Sequence, residues 1–514
     1  MKGSLPKLIW PILTAVFLTG AASAQDQMQI PVQQFTLPNG MTFLVAERHT
    51  APVFAGYISV AVGSAYEVRG DIGSAHLLEH MMFKGSQNIG TTNYPAEAIL
   101  MAKEDSVWDK IDRARQDLIY IRLNQPEKVE TQQKYIDSLK TVLDTLAAQS
   151  SQYVVQNEFD RIYTRNGAAE FNAMTGYDRT SYFVSLPSNR MELWFAMESD
   201  RMKHPAFREF FMERDVVSEE RRLSVENNPE SKLYEQLIGT AFIAHPYQIF
   251  WEWQSEENNL QRRDLADFFK TYYIPQRITV AVVGDVKLDD VKKMAEKYFG
   301  DIPAGPRPEP IYTVEPPQPG ERRVDVEVEG SPAVDIAYHA VAFDSPEQAP
   351  FQIISRLLGD GRTSRLYKAL VLDKQLCLDI SVGAFPGSEL GDNFPDIFII
   401  FAYPKEGVTT ADVEKGIYEE LDKLGSTPVS DNELQKIKNR LDADFIWGFY
   451  SNLGLADRLA TAQNQAHDWH YLLKMRNNLK AVTADDVMTV AKKYFTPENR
   501  TVATLIPKVT GGAQ

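Results

Sequence analysis

The sequence predicts two homologous domains, each built from strands and helices and joined by a proline-rich linker. A chain of 514 residues with 44% hydrophobic content exceeds one ordinary domain. Seven prolines lie in the stretch 303–323, where they cannot continue a helix or a central strand. "KTYYIPQRITVAVVG" at 270–284 recurs as "KKYFTPENRTVATLI" at 492–506, and "YISVAVGS" at 57–64 recurs as "YHAVAFDS" at 338–345. This shared order indicates a duplication, with domains at 25–302 and 324–514.

The first 24 residues have the pattern of a secretory signal peptide. Lys2 and Lys7 accompany an apolar stretch from Leu8 to Gly20, and Ala22-Ser23-Ala24 offers a cleavage site. An apolar stretch of this length is too short to span a bilayer, so we expect no stable membrane insertion. The sequence therefore predicts export to the periplasm, or release beyond it.

The composition limits which residue types could bind a metal and which classes of partner the chain could have. Cys377 is the only cysteine, which excludes an intramolecular disulfide and a cluster of thiolate ligands, so a bound metal would use imidazoles and carboxylates. Its neighbours Leu376 and Leu378 favour a buried, inert thiol. The net charge is −16, and it becomes −18 (52 minus 70) once the two signal-peptide lysines are removed. This acidic balance argues against nucleic acid as a partner.

The elements of the first domain can be followed along the chain. Two β-rich runs around Pro38-Asn39-Gly40 predict a hairpin, and "VFAGYISVAVGSAYE" at 53–67 predicts a further strand before a helix. The repeated segments are offset by 222 and 281 positions, so the first copy holds 59 additional residues. Helix formers at about 101–163, interrupted at Asn124-Gln125-Pro126, predict an inserted helical hairpin there. Such an arm would contact a partner, cover a site or merely decorate the surface, and the sequence favours none of these.

The stretch "GSAHLLEHMMFKG" at 73–85 places two histidines and a glutamate close together on one predicted helix. Residues four apart share a helix face, so His76 and His80 can present two imidazole nitrogens to one ion, with Glu79 beside them. This H-x-x-E-H order is the inverted zinc motif, in which the glutamate is the general base toward the attacking water. The site then needs a third protein ligand and one open position. Five other histidines are predicted to be hydrogen-bonded structural residues: His49, His204, His339, His467 and His470.

The best region for the third ligand is "REFFMERDVVSEERRLSVEN" at 208–227. Helical spacing puts Glu213 and Glu220 on one stripe with Val216 and Val217, which are predicted to be buried. Carboxylates near buried positions need partners. Glu219 points about 100° away from Glu220 and is expected to be solvated.

Four segments in this order resemble the pitrilysin/insulinase family of zinc metallopeptidases, which includes mitochondrial processing peptidase: "GSAYEVRGDIGSAHLLEHMMFKG", "EFNAMTGYDRTSYFVSLP", "MERDVVSEE" and "LLGDGRTSRLYKAL". The resemblance covers nearly the whole mature chain. It implies that His76 and His80 bind Zn²⁺ and that Glu79 is the catalytic base. It also implies that Glu220 is the third ligand and that Glu213 is a supporting acidic residue near the metal.

The resemblance implies an α+β fold with two homologous domains, each a mostly antiparallel sheet flanked by helices, facing each other across a chamber. The segment "EFNAMTG" is similar to the edge strand on which family members lay an extended peptide, with Asn172 and Ala173 supplying contacts. Pairing through the main chain tolerates many sequences, so the expected substrates are extended peptides of broad sequence.

The second copy departs from the family pattern at two places. The offset of 281 puts Leu357, Asp360 and Gly361 opposite the metal motif, so this copy cannot bind zinc in the same way. Active single-chain relatives also carry an arginine and a tyrosine in the second half, whose ungapped counterparts here are Val371 and Leu378. Neither side chain can donate a hydrogen bond to a developing oxyanion.

The missing pair leads to a hypothesis about partners. A homologous chain with a defective metal motif would supply the arginine and tyrosine in a heterodimer, whereas a homodimer would lack the pair in both copies. The alternative function is a non-catalytic zinc-binding scaffold or peptide-binding subunit. The metal motif favours a zinc endopeptidase, because buried carboxylates and histidines are costly to keep without an ion.

Overall fold

Strand pairing in the first half of the chain produces one six-stranded sheet with the order β1-β2-β6-β3-β5-β4. The structure, a computed structural model, describes residues 30–508, so the predicted signal peptide at 1–24 lies outside the described residues. The strands are Gln33–Thr36 (β1), Thr42–Glu47 (β2), Val53–Val60 (β3), Ala169–Thr175 (β4), Thr180–Pro187 (β5) and Ile278–Gly284 (β6). The helices are Ser74–Met81 (α1), Tyr94–Asn124 (α2), Val129–Ser150 (α3), Glu158–Arg165 (α4), Met191–Lys203 (α5), Phe210–Arg221 (α6), Pro229–Ala241 (α7), Gln254–Glu257 (α8), Arg262–Tyr272 (α9) and Leu288–Phe299 (α10).

A second sheet, with the order β7-β11-β8-β10-β9, forms from the later part of the chain. Its strands are Arg322–Val328 (β7), Ala333–His339 (β8), Cys377–Phe385 (β9), Ile397–Pro404 (β10) and Arg500–Pro507 (β11). The helices are Gln348–Gly359 (α11), Thr410–Ser426 (α12), Asp431–Trp447 (α13), Asn452–Ala466 (α14), Tyr471–Ala481 (α15) and Ala484–Tyr494 (α16).

The two sheets repeat one pattern of pairing. Each has a single parallel pair at the equivalent place, β2 with β6 and β7 with β11, and the other described pairs are antiparallel. The α+β fold with two mostly antiparallel sheets is therefore confirmed. The domain limits of 25–302 and 324–514 stay a prediction, although the stretch 303–321 contains no helix or strand.

The first predicted elements agree with the structure only in part. β1 and β2 form the expected hairpin, with Gly40 in the left-handed region at φ 95°. The strand predicted at 53–67 ends at Val60 and is too long by seven residues. Beyond it, Ser64 donates its backbone N–H to the Gly176 carbonyl, and a side chain at Gly63 would collide with that carbonyl. This close contact with the β4–β5 turn bends the chain out of the sheet.

The inserted arm is a pair of helices, α2 and α3, packed along an apolar seam that includes Ile111, Ile136 and Leu143. It begins at Tyr94, seven residues before the predicted start, because Asn93 caps the helix and Pro95 occupies its first turn. Buried ion pairs hold its base: Arg208 Nε lies 2.9 Å from Glu97 Oε1, and Arg262 Nη2 lies 2.8 Å from Glu104 Oε2. The base of the arm is therefore bound firmly to the segments around α6 and α9.

The two halves exchange helices across their interface. Helix α7 belongs to the first half but packs on the second sheet, where Leu233, Leu237 and Ile238 join an apolar cluster. Helix α14 belongs to the second half and packs on β3 and β6 through polar contacts. Asp457 accepts a hydrogen bond from Tyr57 at 2.7 Å, and Asn464 contacts both Ser59 and Thr279. Each sheet is thus covered on one face by a helix from the other half.

None of the helices between residues 30 and 508 combines the length and the apolar character that a membrane span requires.

Cys377 on β9 is buried, as expected, and burial, reinforced by the nearby charge of Asp379, raises the pKa of its thiol to about 12. A thiol with so high a pKa is a poor nucleophile at neutral pH.

The exchanged helix α7 generates a stability prediction. Leu237 is fully buried between α7 and the second sheet, so Leu237→Ala removes apolar contacts and leaves a cavity. We expect a loss of about 2–5 kcal/mol in the free energy of unfolding, measured by urea denaturation. The matched control is Gln236→Ala, because the neighbouring Gln236 is exposed and its truncation should change the free energy by less than about 0.5 kcal/mol. Equal midpoints for the two variants would contradict this packing.

Candidate metal centre

Helix α1 displays the three motif residues on the face opposite its buried side chains. Leu77, Leu78 and Met81 anchor the helix in the core of the first half. Gly73 precedes the helix in the left-handed region, at φ 100°, which favours glycine. The Glu67 carboxylate accepts the backbone N–H groups of Gly73 and Ala75 at 3.0 and 2.7 Å, and burial raises its pKa to about 8. The start of α1 is therefore fixed in position.

The structure brings His76, His80 and Glu220 together. Glu220 Oε2 lies 3.7 Å from His76 Nε2 and 3.6 Å from His80 Nε2. One ligand atom from each residue falls within 4.8 Å of the others, and this is the one such group found among residues 30–508. Ligands of a tetrahedral zinc ion lie roughly 3.3 Å apart, since each is about 2.0–2.1 Å from the metal. Two imidazoles and one carboxylate with this spacing fit a catalytic zinc site that keeps one position open.

Helix α6 supplies the two predicted carboxylates. Glu213 and Glu220 lie two turns apart, and the helix continues into a π-helical turn at Arg222–Glu226. Val217 is buried as expected, but Val216 is 42% exposed, so the apolar stripe is narrower than predicted. Glu219 is exposed and pairs with Arg222, in agreement with its predicted solvation.

Glu213 supports the second histidine instead of joining the ligand group. Its Oε1 lies 3.1 Å from His80 Nδ1, and its Oε2 lies 2.5 Å from Lys84 Nζ. Burial alone would raise the pKa of the Glu213 carboxyl, but the hydrogen bonds from His80 and Lys84 outweigh burial and lower it. An ionised Glu213 accepts from Nδ1 and leaves Nε2 of His80 free for a metal.

Glu252, which the sequence analysis did not identify, plays the corresponding part for His76. Its Oε1 lies 2.7 Å from His76 Nδ1, and the Trp251 ring packs edge-on against the same imidazole. Burial disfavours a charged His76, but the hydrogen bond and charge of Glu252, with the carboxylates of Glu79 and Glu220, outweigh it and raise the pKa of His76 to about 9. Glu252 lies in a loop, where no spacing rule applies. In the sequence, the only feature that marks Glu252 is its place between Trp251 and Trp253, an acidic residue flanked by two large aromatic residues.

The predicted base Glu79 lies between the histidines and the edge strand β4. Its Oε2 accepts a hydrogen bond of 2.6 Å from Thr175 Oγ1, at the end of β4. β4 pairs with β5 alone among the described strands, so its second edge is open. Asn172 is exposed on this strand, and its Oδ1 accepts the backbone N–H of the buried Ala173 at 2.9 Å. Their roles as substrate contacts stay a prediction.

A cavity of about 490 Å³ opens beside His76 and is lined by both halves of the chain. Its walls combine aromatic and polar side chains, which include Thr175, Tyr177, Arg179, Trp251, Phe385 and Asp392. In the second half, Val371 lies in a π-helical turn at Tyr367–Asp373, and Leu378 is exposed on β9. The counterpart positions Leu357, Asp360 and Gly361 include no histidine.

Two family models match the chain. The model described as insulinase (peptidase family M16) matches residues 42–104 and 137–249, and the model described as peptidase M16 inactive domain matches 259–441. The chain belongs to the peptidase M16, or insulinase, family. The predicted resemblance is thus confirmed. The unmatched stretch 105–136 falls within α2 and α3, as expected for an arm inserted into the M16 domain.

Individual M16 relatives agree with this assignment. A zinc protease, PqqE, from Helicobacter pylori is 27% identical, covering 99% of this chain and 100% of the relative. The mitochondrial-processing peptidase subunit beta of Lentinula edodes is 20% identical, covering 90% of this chain and 86% of the relative. Among solved structures, a protease from Helicobacter pylori has a TM-score of 0.75 at 26% identity, covering 93% of this chain and 100% of that structure. The periplasmic protease PqqL from Escherichia coli, with a TM-score of 0.66 at 14% identity, shares the fold over 94% of this chain and 48% of that one.

The hydrogen bond between Thr175 and Glu79 generates a prediction about activity. Thr175→Val keeps the shape of the side chain but removes the donor that orients the Glu79 carboxylate. A hydrogen bond to a charged group contributes about 1.5–3 kcal/mol, so we expect kcat for peptide cleavage to fall roughly 10- to 100-fold with zinc content unchanged. The control is Thr145→Val on the arm, where the exposed hydroxyl donates only to the Thr141 carbonyl. Unchanged kcat in Thr175→Val would contradict an orienting role.

Proposed function

We propose that this M16 chain is an exported zinc-dependent endopeptidase that hydrolyses extended peptides in the periplasm, or beyond it if released. The observation that carries the proposal is the convergence of His76 Nε2, His80 Nε2 and the Glu220 carboxylate beside the Glu79 carboxylate. The periplasmic location of PqqL in Escherichia coli, named as a periplasmic protease, supports the location.

His76, His80 and Glu220 would hold the zinc ion. When bound there, Zn²⁺ supplies Lewis-acid polarisation of the scissile carbonyl and favours deprotonation of the attacking water. Glu79 accepts that proton and delivers it to the leaving amine, as a general base and then a general acid. The Thr175 hydroxyl keeps one oxygen of Glu79 occupied, which leaves the other oxygen for the transferred proton.

The edge strand β4 would bind the substrate in an extended form. An added peptide strand forms main-chain hydrogen bonds with the open edge, and Asn172 and Ala173 lie at its centre. Thr175 connects this edge to Glu79, so a peptide paired with β4 passes beside the proposed base. The cavity next to His76 then offers space for neighbouring side chains of the peptide.

The second part of the proposal is a partner chain. Val371 and Leu378 cannot stabilise a developing oxyanion, so a homologous partner with a defective metal motif would supply an arginine and a tyrosine. Relatives named as subunits, mitochondrial-processing peptidase subunit beta and human cytochrome b-c1 complex subunit 1, support a divided assembly. A homodimer is the less favoured assembly, because both copies lack the arginine and the tyrosine.

A second candidate function is a non-catalytic zinc-binding scaffold or peptide-binding subunit. It is favoured by the match of residues 259–441 to a model described as an inactive domain. Against it stand the complete ligand group and the oriented Glu79 carboxylate, which a scaffold does not need. We therefore prefer the peptidase.

The proposed chemistry predicts a specific effect of Glu79→Gln. The variant should retain zinc, measured by atomic emission on purified mature protein, but lose cleavage of an extended peptide by at least about 100-fold, because a general base is removed. Removal of zinc with a chelator should abolish cleavage, and re-addition should restore it. The matched control is Glu219→Gln, which alters an exposed carboxylate one residue from Glu220. Zinc binding without cleavage in every pairing would favour the scaffold.

The partner hypothesis makes a separate prediction. The chain alone should cleave peptides slowly, and addition of the homologous chain should raise kcat by about 100-fold, the usual contribution of an oxyanion donor. The control is the same partner with its arginine and tyrosine replaced, which should still bind but no longer accelerate cleavage. A monomeric chain that cleaves at the full rate would contradict the heterodimer.

A further inference from the structure

We infer that Glu252 is a positioning residue of the metal centre, whose carboxylate holds the His76 ring so that Nε2 faces Glu220. The inference rests on the proposed zinc site and adds to it a residue that acts through His76. The hydrogen bond of 2.7 Å between Glu252 Oε1 and His76 Nδ1 is the observation that carries it.

The hydrogen bond to Glu252 fixes the tautomer of His76. A carboxylate oxygen accepts hydrogen bonds, so the Nδ1 atom beside Glu252 must carry the proton. In the neutral ring the lone pair is then on Nε2, the atom that lies 3.7 Å from Glu220 Oε2. Without Glu252, both tautomers and several ring rotations would compete, and metal binding would have to select one of them.

Glu252 is itself held in place by its surroundings. Its side chain is only 10% exposed. A side chain at Gly73 would meet its Cβ and Cγ atoms at 3.2 and 3.3 Å, so the absence of a side chain at Gly73 makes room for Glu252. The residue that precedes α1 therefore packs directly on the residue that orients His76. The loop that carries Glu252 and the helix that carries the motif are matched in shape.

Glu252 and Glu213 differ in the positive charges that surround them. Lys84 pairs with Glu213, so part of that negative charge is already compensated. Among residues 30–508, Glu252 forms no ion pair with a lysine or arginine, and His76 is its one ionisable hydrogen-bond partner. A buried carboxylate in this position favours positive charge on the other side of the imidazole, which is where a divalent cation would bind. The two carboxylates thus orient similar rings in different electrostatic settings.

The test uses zinc affinity, which is read without any substrate. Zinc dissociation constants are measured on the full mature chain by competition with a fluorescent chelator for Glu252→Leu, Glu252→Gln and the control Glu219→Gln. Leu keeps most of the bulk but removes the acceptor, whereas Gln keeps an acceptor oxygen and loses the charge. We expect about 10- to 100-fold weaker binding in Glu252→Leu, a smaller loss in Glu252→Gln, and no change in the control.

Thermal unfolding of the metal-free proteins separates positioning from packing. A positioning role predicts nearly equal metal-free midpoints for the Gln variant and the unaltered chain, with the difference appearing only when zinc is added. If Glu252→Leu does not fold, the Gln variant alone decides the matter. Unchanged zinc affinity in a folded variant would overturn the inference. A chain that binds zinc but cleaves no peptide would overturn only the peptidase proposal, and a chain that binds no zinc would overturn both.

Discussion

The candidate metal centre depends on hydrogen bonds to the Nδ1 atoms of its two imidazoles. A histidine on a helix surface can rotate about two bonds and exchange tautomers, so spacing along α1 brings the rings near each other without orienting them. Here each Nδ1 contacts a carboxylate from a different part of the chain, Glu213 on α6 and Glu252 in the loop before α8. The consequence is that three separate segments must fold together before two Nε2 atoms and Glu220 can share one ion.

Helix α6 is therefore the element whose position matters most, and buried charges hold it in place. Arg214 stacks on Trp108 of the arm, with its guanidinium carbon 4.3 Å from the ring, and donates to the Leu260 carbonyl at 3.1 Å. Arg208, just before α6, pairs with Glu97 at the base of the arm. Isolated charges in these buried sites would be costly, and removing one partner typically destabilises strongly. The base of the arm thus serves as support for α6, whatever its distal part contacts.

The local part of this site could be predicted from the sequence, and the long-range part could not. The spacing of His76 and His80, and the two turns between Glu213 and Glu220, follow from the helical period. The Asn39-Gly40 turn likewise specifies its hairpin. No periodic pattern connects Glu252 with His76, 176 residues earlier, because tertiary folding alone brings them together. The same limit explains the strand predicted beyond Val60, which a contact with the β4–β5 turn ends. The earlier start of α2 is different, because Asn93 and Pro95 are local signals for the start of a helix.

The second half of the duplicated fold forms part of the cavity wall and contains no second copy of the metal motif. The second sheet keeps the strand order of the first, but Leu357, at the position opposite His76, is buried in the core. The second half nevertheless contributes Phe385 and Asp392 to the cavity beside His76, and α14 covers the first sheet through Asp457 and Asn464. Because α7 binds the second sheet through apolar side chains, separation of the halves would expose apolar surface on one side and break partly buried hydrogen bonds on the other. The second half therefore contributes to the metal site indirectly, by forming part of the cavity wall beside His76 and by keeping the two sheets together.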